Sequence, residues 1–158
     1  MTERPTPEPT RSLAPEARGM FAVEVLGGAV PFAAVAIGLA VILLGGAPAI
    51  AISVVAVAAA VGAAIVVPRI RLARFRYEVR DDEIDLRRGI VVQTRTLVPM
   101  ARVQHVDTRR TVLSQSFGLA AVVFHTAAGT NEIPALREAD AAAIRDRIAD
   151  LARAPEVL

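Results

Sequence analysis

Residues 25–68 read VLGGAVPFAAVAIGLAVILLGGAPAIAISVVAVAAAVGAAIVVP, 44 consecutive positions without a charge between Glu24 and Arg69. A bilayer core about 30 Å thick is crossed by roughly 20 helical residues, so the stretch is long enough for two spans. Gly45-Gly46-Ala47-Pro48 lies where two spans would meet, and glycine with proline ends a helix and permits a tight reversal. The expected elements are a helix over about residues 22–44 and a second over about 49–67, together a transmembrane hairpin over 22–67. A cleaved signal peptide would instead carry an apolar core of about 7–15 residues, close to the N-terminus and behind basic residues. Here 24 mixed residues precede a much longer run.

Orientation follows from the flanks, because cytoplasmic loops collect Lys and Arg while Asp and Glu count for little. Arg4, Arg11 and Arg18 precede the stretch, Arg69, Arg71, Arg74 and Arg76 follow it, and the Gly45–Pro48 turn has none. Both termini are expected in the cytoplasm, and the lack of cysteine is compatible with that. The formal net charge is only +2, and every one of the 18 basic residues is arginine. Residues 69–80 hold five Arg against one Glu, whereas 81–158 hold ten Arg against eleven acids, so the excess is juxtamembrane. Arg69, Arg71, Arg74 and Arg76 are therefore the expected headgroup contacts, each gaining about 1 kcal/mol near an anionic leaflet. Setting topology and snorkelling are enough to explain them without recognition of a particular lipid. A nucleic-acid partner is not expected, since 81–158 is slightly acidic and has only Phe117 and Phe124 as aromatics.

Residues 1–21 form the expected N-terminal tail. Pro5, Pro7, Pro9 and Pro15 stand there among Thr, Glu and Arg, a composition that buries too little apolar surface to order a chain, so the tail is read as disordered. Beyond the hairpin, residues 74–153 suffice for one small domain. Phe75, Tyr77 and Val79 alternate with Arg74, Arg76, Glu78 and Arg80, the period of a half-buried strand. Asp81-Asp82 predicts a turn, Ile84 and Leu86 a second strand, and Ile90, Val92, Thr94, Thr96 and Val98 one face of a longer third, giving an antiparallel meander. Val103 and Val106 are three apart and cannot share a face of a regular strand, which predicts a bulge near Gln104. Residues 111–117 are expected as a linking strand or loop, 120–126 as an apolar strand, 127–131 as a turn and 132–136 as a short last strand. Ile144, Ile148 and Leu151 then recur at helical spacing, predicting an amphipathic helix over about 137–153.

In combination these residues resemble the bacterial pleckstrin-homology-like family of small membrane proteins of the YdbS type. The resemblance rests on Tyr77 with Asp82, Arg88-Gly89, Val98-Pro99 with Arg102-Val103-Gln104-His105-Val106, Phe117-Gly118-Leu119 before the strand ending at Thr126, and the alanine-rich helix from Ala139. It runs from about residue 25 to 152. It implies an α+β membrane protein: the two-helix hairpin, then a PH-like antiparallel split barrel of about seven strands capped by the C-terminal helix. It also implies no enzyme. Phosphoinositide-binding relatives in eukaryotes use a basic loop between the first two strands; here that turn is Asp81-Asp82-Glu83, which repels phosphate, so inositide binding is not carried over.

Arg102, Gln104 and His105 are the densest polar cluster of the family-like segment. They are either a binding edge for a peptide or headgroup, or hydrogen-bond partners that hold the bulged strand. A triad of His105, Asp107 and Ser114 or Ser116 can be drawn, but no nucleophile elbow or oxyanion-hole glycine run accompanies it, so no catalytic residue is expected. His125 is expected as a barrel residue; no metal and no cofactor are expected. Ala34 with Gly38, and Ala58 with Gly62, are four apart; the simplest expectation is that the two helices pack on each other there, with self-association as the alternative. The expected function is a non-enzymatic, membrane-anchored binding or scaffold module on the cytoplasmic face of a bacterial membrane. Its partners would be the bilayer and a membrane or membrane-associated protein. The alternative is an accessory subunit of a transport or envelope-stress complex that acts through the hairpin.

Overall fold

Helix α1 covers Ala17–Leu43 and helix α2 covers Gly46–Arg74 in the computed structural model, which describes residues 7–153. Leu44 and Gly45 separate them, and Gly45 and the first residue of α2, Gly46, take φ +59° and +55°, a backbone that glycine adopts without Cβ strain. Pro48 falls in the first turn of α2, where an N–H has no intrahelical acceptor in any case. Both helices are long and apolar enough to cross a membrane. Only 6% of each apolar window is buried, so neither is the core helix of a soluble unit. The one hydroxyl in the second span, Ser53, donates to the Ala49 carbonyl at 2.8 Å, which satisfies it within its own helix.

Three details differ from the sequence expectations. Helix α1 begins at Ala17, inside the expected tail, rather than at about residue 22. Helix α2 does not stop at Val67 but continues through Pro68 to Arg74. Proline removes one backbone bond, and the extra turns are closed by Phe75 N–H donating to Arg71 O and by Arg76 donating to the Leu72 and Phe75 carbonyls at 3.0 and 2.8 Å. The helices also make no close approach at the small residues: a Cβ added to Gly38 or Gly62 would meet nothing within 4 Å. Without water to expel, apolar helices have little drive to collapse on one another.

The described residues divide into Arg18–Ile70 and a second unit built from 7–17 with 71–153. In the second unit, β1 (Arg76–Val79), β2 (Glu83–Arg88) and β3 (Thr94–Pro99) form one antiparallel sheet in that order. Strands β4 (Val103–Arg109), β5 (Leu119–Thr126) and β6 (Gly129–Arg137) form the other, and α4 (Glu138–Arg153) packs on all three. Among the described residues the strands thus number six, in two three-stranded sheets. Alternation does its expected work in the first sheet, burying Tyr77, Val79, Ile84, Leu86 and Val98. In the second sheet β5 is the central strand and is buried from Leu119 to Phe124, against Ile133, Leu136, Ala141, Ile144 and Ile148 among the core residues.

The expected third strand over 90–98 is shorter than its alternating pattern suggests. Gly89 turns the chain at φ +125°, and residues 89–93 form a loop before β3 starts at Thr94. Residues 112–116, expected as a strand or loop, form a short helix α3 (Val112–Ser116), because Thr111 and Ser114 satisfy each other's backbone N–H in a capping box. In β6 the ladder shifts between its pairs with Ala120 and Val122. Pro134 has no N–H to give there, and Ala135 takes φ +52°.

The largest departure concerns the tail. Residues 1–6 lie outside the described residues, but 7–17 are held against the sheets. Arg11 and Tyr77 exchange backbone bonds at 3.2 and 2.9 Å, and Ala14 N–H donates to Ala135 O at 3.2 Å, where the β6 bulge leaves a carbonyl available. The Thr10 backbone and hydroxyl both donate to Glu78 at 2.8 Å, and Glu16 pairs with Arg137 at 2.8 Å. Leu13, Ala14 and Ala17 are buried. A proline-rich composition argues against a self-supporting element, but not against a strap that borrows its hydrogen bonds from the free edges of β1 and β6.

Candidate functional site

The bulge expected near Gln104 is present: the β4–β5 register shifts between Val103 and His105. Strand β4 is an edge of its sheet, so among the described residues its far side has no strand partner. Beside it lies a groove of about 280 Å³ lined by Val103, Gln104, His105 and Val106 from β4 and by Ala149, Ala152 and Arg153 from α4. The two alanines leave the space, since they stand three apart on one helix face and carry no bulk. Their spacing was readable in the sequence, but nothing there said which strand they would meet.

Arg102 ends the 3₁₀ turn Met100–Arg102 that leads into β4 and is exposed, like Gln104 and His105. The structure thus places Gln104 and His105 in the groove wall, with Arg102 next to Val103 rather than in the lining. Neither the Arg102 nor the Gln104 side chain has a hydrogen-bond or ion-pair partner among the described residues. The reading in which these two hold the bulge together is therefore corrected. Both side chains reach water, so no buried donor forces them inward.

His105 and His125 are direct cross-strand partners with ring centroids 6.1 Å apart. Asp107 lies between them, 3.1 Å from His105 Nε2 and 3.8 Å from His125 Nε2, and Thr130 Oγ1 is 3.0 Å from His125 Nδ1. His125 is thus a half-exposed member of a polar surface row rather than a core residue. Among the described residues no group of three His, Cys, Asp or Glu is arranged to hold a metal ion. Ser114 is spent on the α3 cap and the Ser116 hydroxyl donates to Val112 O at 3.0 Å, so each serine serves its own helix.

The juxtamembrane arginines separate. Arg69 is exposed on α2 and Arg71 is half-buried. Arg71 and Arg74 occupy the last turn, where the helix end is negative. Arg74 also donates to the Ile90 carbonyl, and Arg76 caps the helix from β1. On the outer face of the first sheet Arg76, Arg87 and Arg95 are direct cross-strand neighbours, a row of like charges that needs compensation. Arg76 finds carbonyls, Arg87 finds Glu8 and Gln93, and Arg95 finds Asp85. A second cavity of about 250 Å³ lies there, lined by Glu8, Pro9, Arg87, Gln93 and Arg95. The acidic turn after β1 is met by α4, with Arg147 3.2 Å from Asp81.

With two apolar helices, two three-stranded antiparallel sheets and a capping helix in this order, the comparison with known families is decisive: the bacterial PH domain model matches residues 21–152. The chain belongs to the bacterial PH domain family. A relative from Bacillus subtilis (strain 168), the UPF0699 transmembrane protein YdbS, is 48% identical over 88 residues, which is 56% of this chain and 55% of the relative. The match therefore spans about half the length of that curated relative. No solved structure matches the chain. In this bacterial PH domain one wall of the groove is Val103 to Val106, part of one of the several segments on which the family resemblance rested.

Proposed function

We propose that this bacterial PH domain protein is a non-enzymatic, membrane-anchored binding module whose α1–α2 hairpin fixes it to the cytoplasmic face and whose β4–α4 groove receives a protein partner. One observation carries the reading: an edge strand with unpaired polar side chains, Gln104 and neighbouring Arg102, stands beside a groove floored by alanines. An extended segment laid along β4 would gain main-chain bonds from the edge and side-chain contacts from the groove. The arginines Arg69, Arg71, Arg74 and Arg76 would meet the anionic headgroups, and their distribution favours cytoplasmic termini. The competing reading, a subunit acting through its hairpin, is favoured by the unfilled space at Gly38 and Gly62.

Site-directed photocrosslinking of the full chain in native membranes tests the proposal. A photoreactive residue at Gln104 is expected to give a discrete protein adduct that Arg102→Ala with His105→Ala abolishes. The same residue at exposed Asp146 on α4 should give none. Equal labelling from the two positions would contradict the groove as the site.

A further inference from the structure

The β2–β3 loop carries three consecutive apolar residues in the open: Ile90 is 37%, Val91 90% and Val92 76% exposed. Elsewhere in the sheet-containing unit, large exposed apolar side chains occur singly, at Leu97 and Val112, as is ordinary for a protein surface. A continuous β-branched tip is different, because in water it is an aggregation hazard unless something covers it. The tip is also built rather than loose. Gly89 folds so tightly that a Cβ there would stand 1.8 Å from the Val92 carbonyl oxygen. Arg87 donates to Gln93 through Nε and Nη2 at 3.2 and 2.7 Å, pinning the base of the loop.

Its surroundings are cationic. Arg74 donates to the Ile90 carbonyl, and Arg74 belongs to the last turn of α2, six residues after the uncharged stretch ends at Pro68. Arg88, just before the turn, is exposed and has no partner among the described residues. Apolar side chains at a tip with arginines at its base match a bilayer interface, where acyl chains take the former and anionic headgroups the latter. A protein partner would need no such collar.

We infer that residues 90–92 form a lipid-inserting loop, a second membrane contact besides the helices, with Arg74 and Arg88 at the headgroup level. The inference rests on the reading of α1 and α2 as membrane-spanning. It gives the sheet-containing unit a contact of its own with the bilayer, through the β2–β3 loop.

The chain has no tryptophan, so a single introduced one reports on its own position. Val91→Trp in the full chain is to be reconstituted in vesicles of mixed zwitterionic and anionic phospholipid, with bromines placed shallow or deep on the acyl chains. Insertion of about 5–10 Å predicts blue-shifted emission quenched more by shallow than by deep bromines. Val57→Trp, inside α2, should show the opposite order, and Val92→Trp should repeat the Val91→Trp result. Water-like, unquenched emission at positions 91 and 92 while position 57 is quenched overturns the loop inference and leaves the hairpin standing. Blue-shifted emission that no bromolipid quenches also overturns it, because a protein then covers the tip. Failure of quenching at position 57 removes the spanning reading and the loop inference together.

Discussion

Asp85 has no solvent exposure, and Arg95 holds both of its oxygens, with Nε at 3.1 Å from Oδ1 and Nη2 at 2.7 Å from Oδ2. The fork geometry is the one in which arginine binds a carboxylate most firmly. Hydrogen bonding to Asp85 pushes the Arg95 guanidinium above its ordinary range. Arg80 adds a longer contact at 3.5 Å. The two partners differ in exposure, since the Arg95 side chain reaches water and Asp85 does not. Arg95→Met strands a buried carboxylate and is expected to cost about 3 kcal/mol, the low end for a broken buried pair because Arg80 remains. Asp85→Asn leaves a half-exposed arginine that water can serve, and should cost less. Urea unfolding of the full chain in micelles, followed through its single tyrosine, Tyr77, measures both; equal costs would contradict the asymmetry.

Gly89→Ala is expected to lower stability by about 2–3 kcal/mol, because the φ of +125° is unfavourable for any side chain and the added Cβ overlaps the Val92 backbone. The same unfolding assay reads it. A change below about 0.5 kcal/mol, typical of unconstrained surface positions, would mean the loop is not held as described.

The strap should release in acid. Glu78 is held below the usual carboxylate range by the Thr10 backbone N–H and then its hydroxyl, and Glu16 by its hydrogen bonds with Arg137. Depressed folded values mean that both attachments are fully present above the ordinary carboxylate range and are lost as pH falls through the depressed values. Hydrogen-exchange protection of the Arg11 and Tyr77 amides should therefore drop over that interval, while protection at Ile84 and Leu86 persists. Parallel loss at all four positions would show that strap and sheet open as one unit.

The absence of cysteine gives a clean background for topology. If both termini are cytoplasmic, as the arginine distribution favours, Ala47→Cys in the helix connection should react with a membrane-impermeant maleimide added outside intact cells. Asp146→Cys should react only after the membrane is opened. Reversed labelling would contradict the orientation drawn from the arginines.

Much of this architecture is visible in residue order, and the failures share a cause. Uncharged length located both helices, and period-two or helical patterning located β1, β2 and α4, because burial acts on each of those three from one dominant side; β5, buried on both faces, showed only as a continuous apolar run. The bulge at Gln104 was readable since a one-residue slip exchanges the faces of a strand. Ile90 and Val92 misled because β-branched alternation suits a strand equally well as an exposed tip, and only the backbone at Gly89 separates the two. The strap was unreadable for a different reason: its hydrogen-bond partners, Tyr77, Glu78, Ala135 and Arg137, lie some 65 to 120 positions away. The groove was half visible, with Gln104 and His105 apparent as a polar cluster and Ala149, Ala152 and Arg153 hidden in an ordinary helix face.

Binding at the β4–α4 groove is the central claim, and an exchange of parts tests it most directly. The photocrosslinking adduct formed from position 104 is to be followed in two variants of the full chain. In one, residues 22–67 are replaced by an unrelated two-span hairpin; in the other, Arg102, Gln104 and His105 are exchanged for alanine, with the photoreactive residue moved to Arg153 on the facing groove wall. The account predicts that the adduct survives the hairpin exchange and disappears with the groove substitutions. An adduct lost with the native hairpin and retained without the three polar side chains would contradict it.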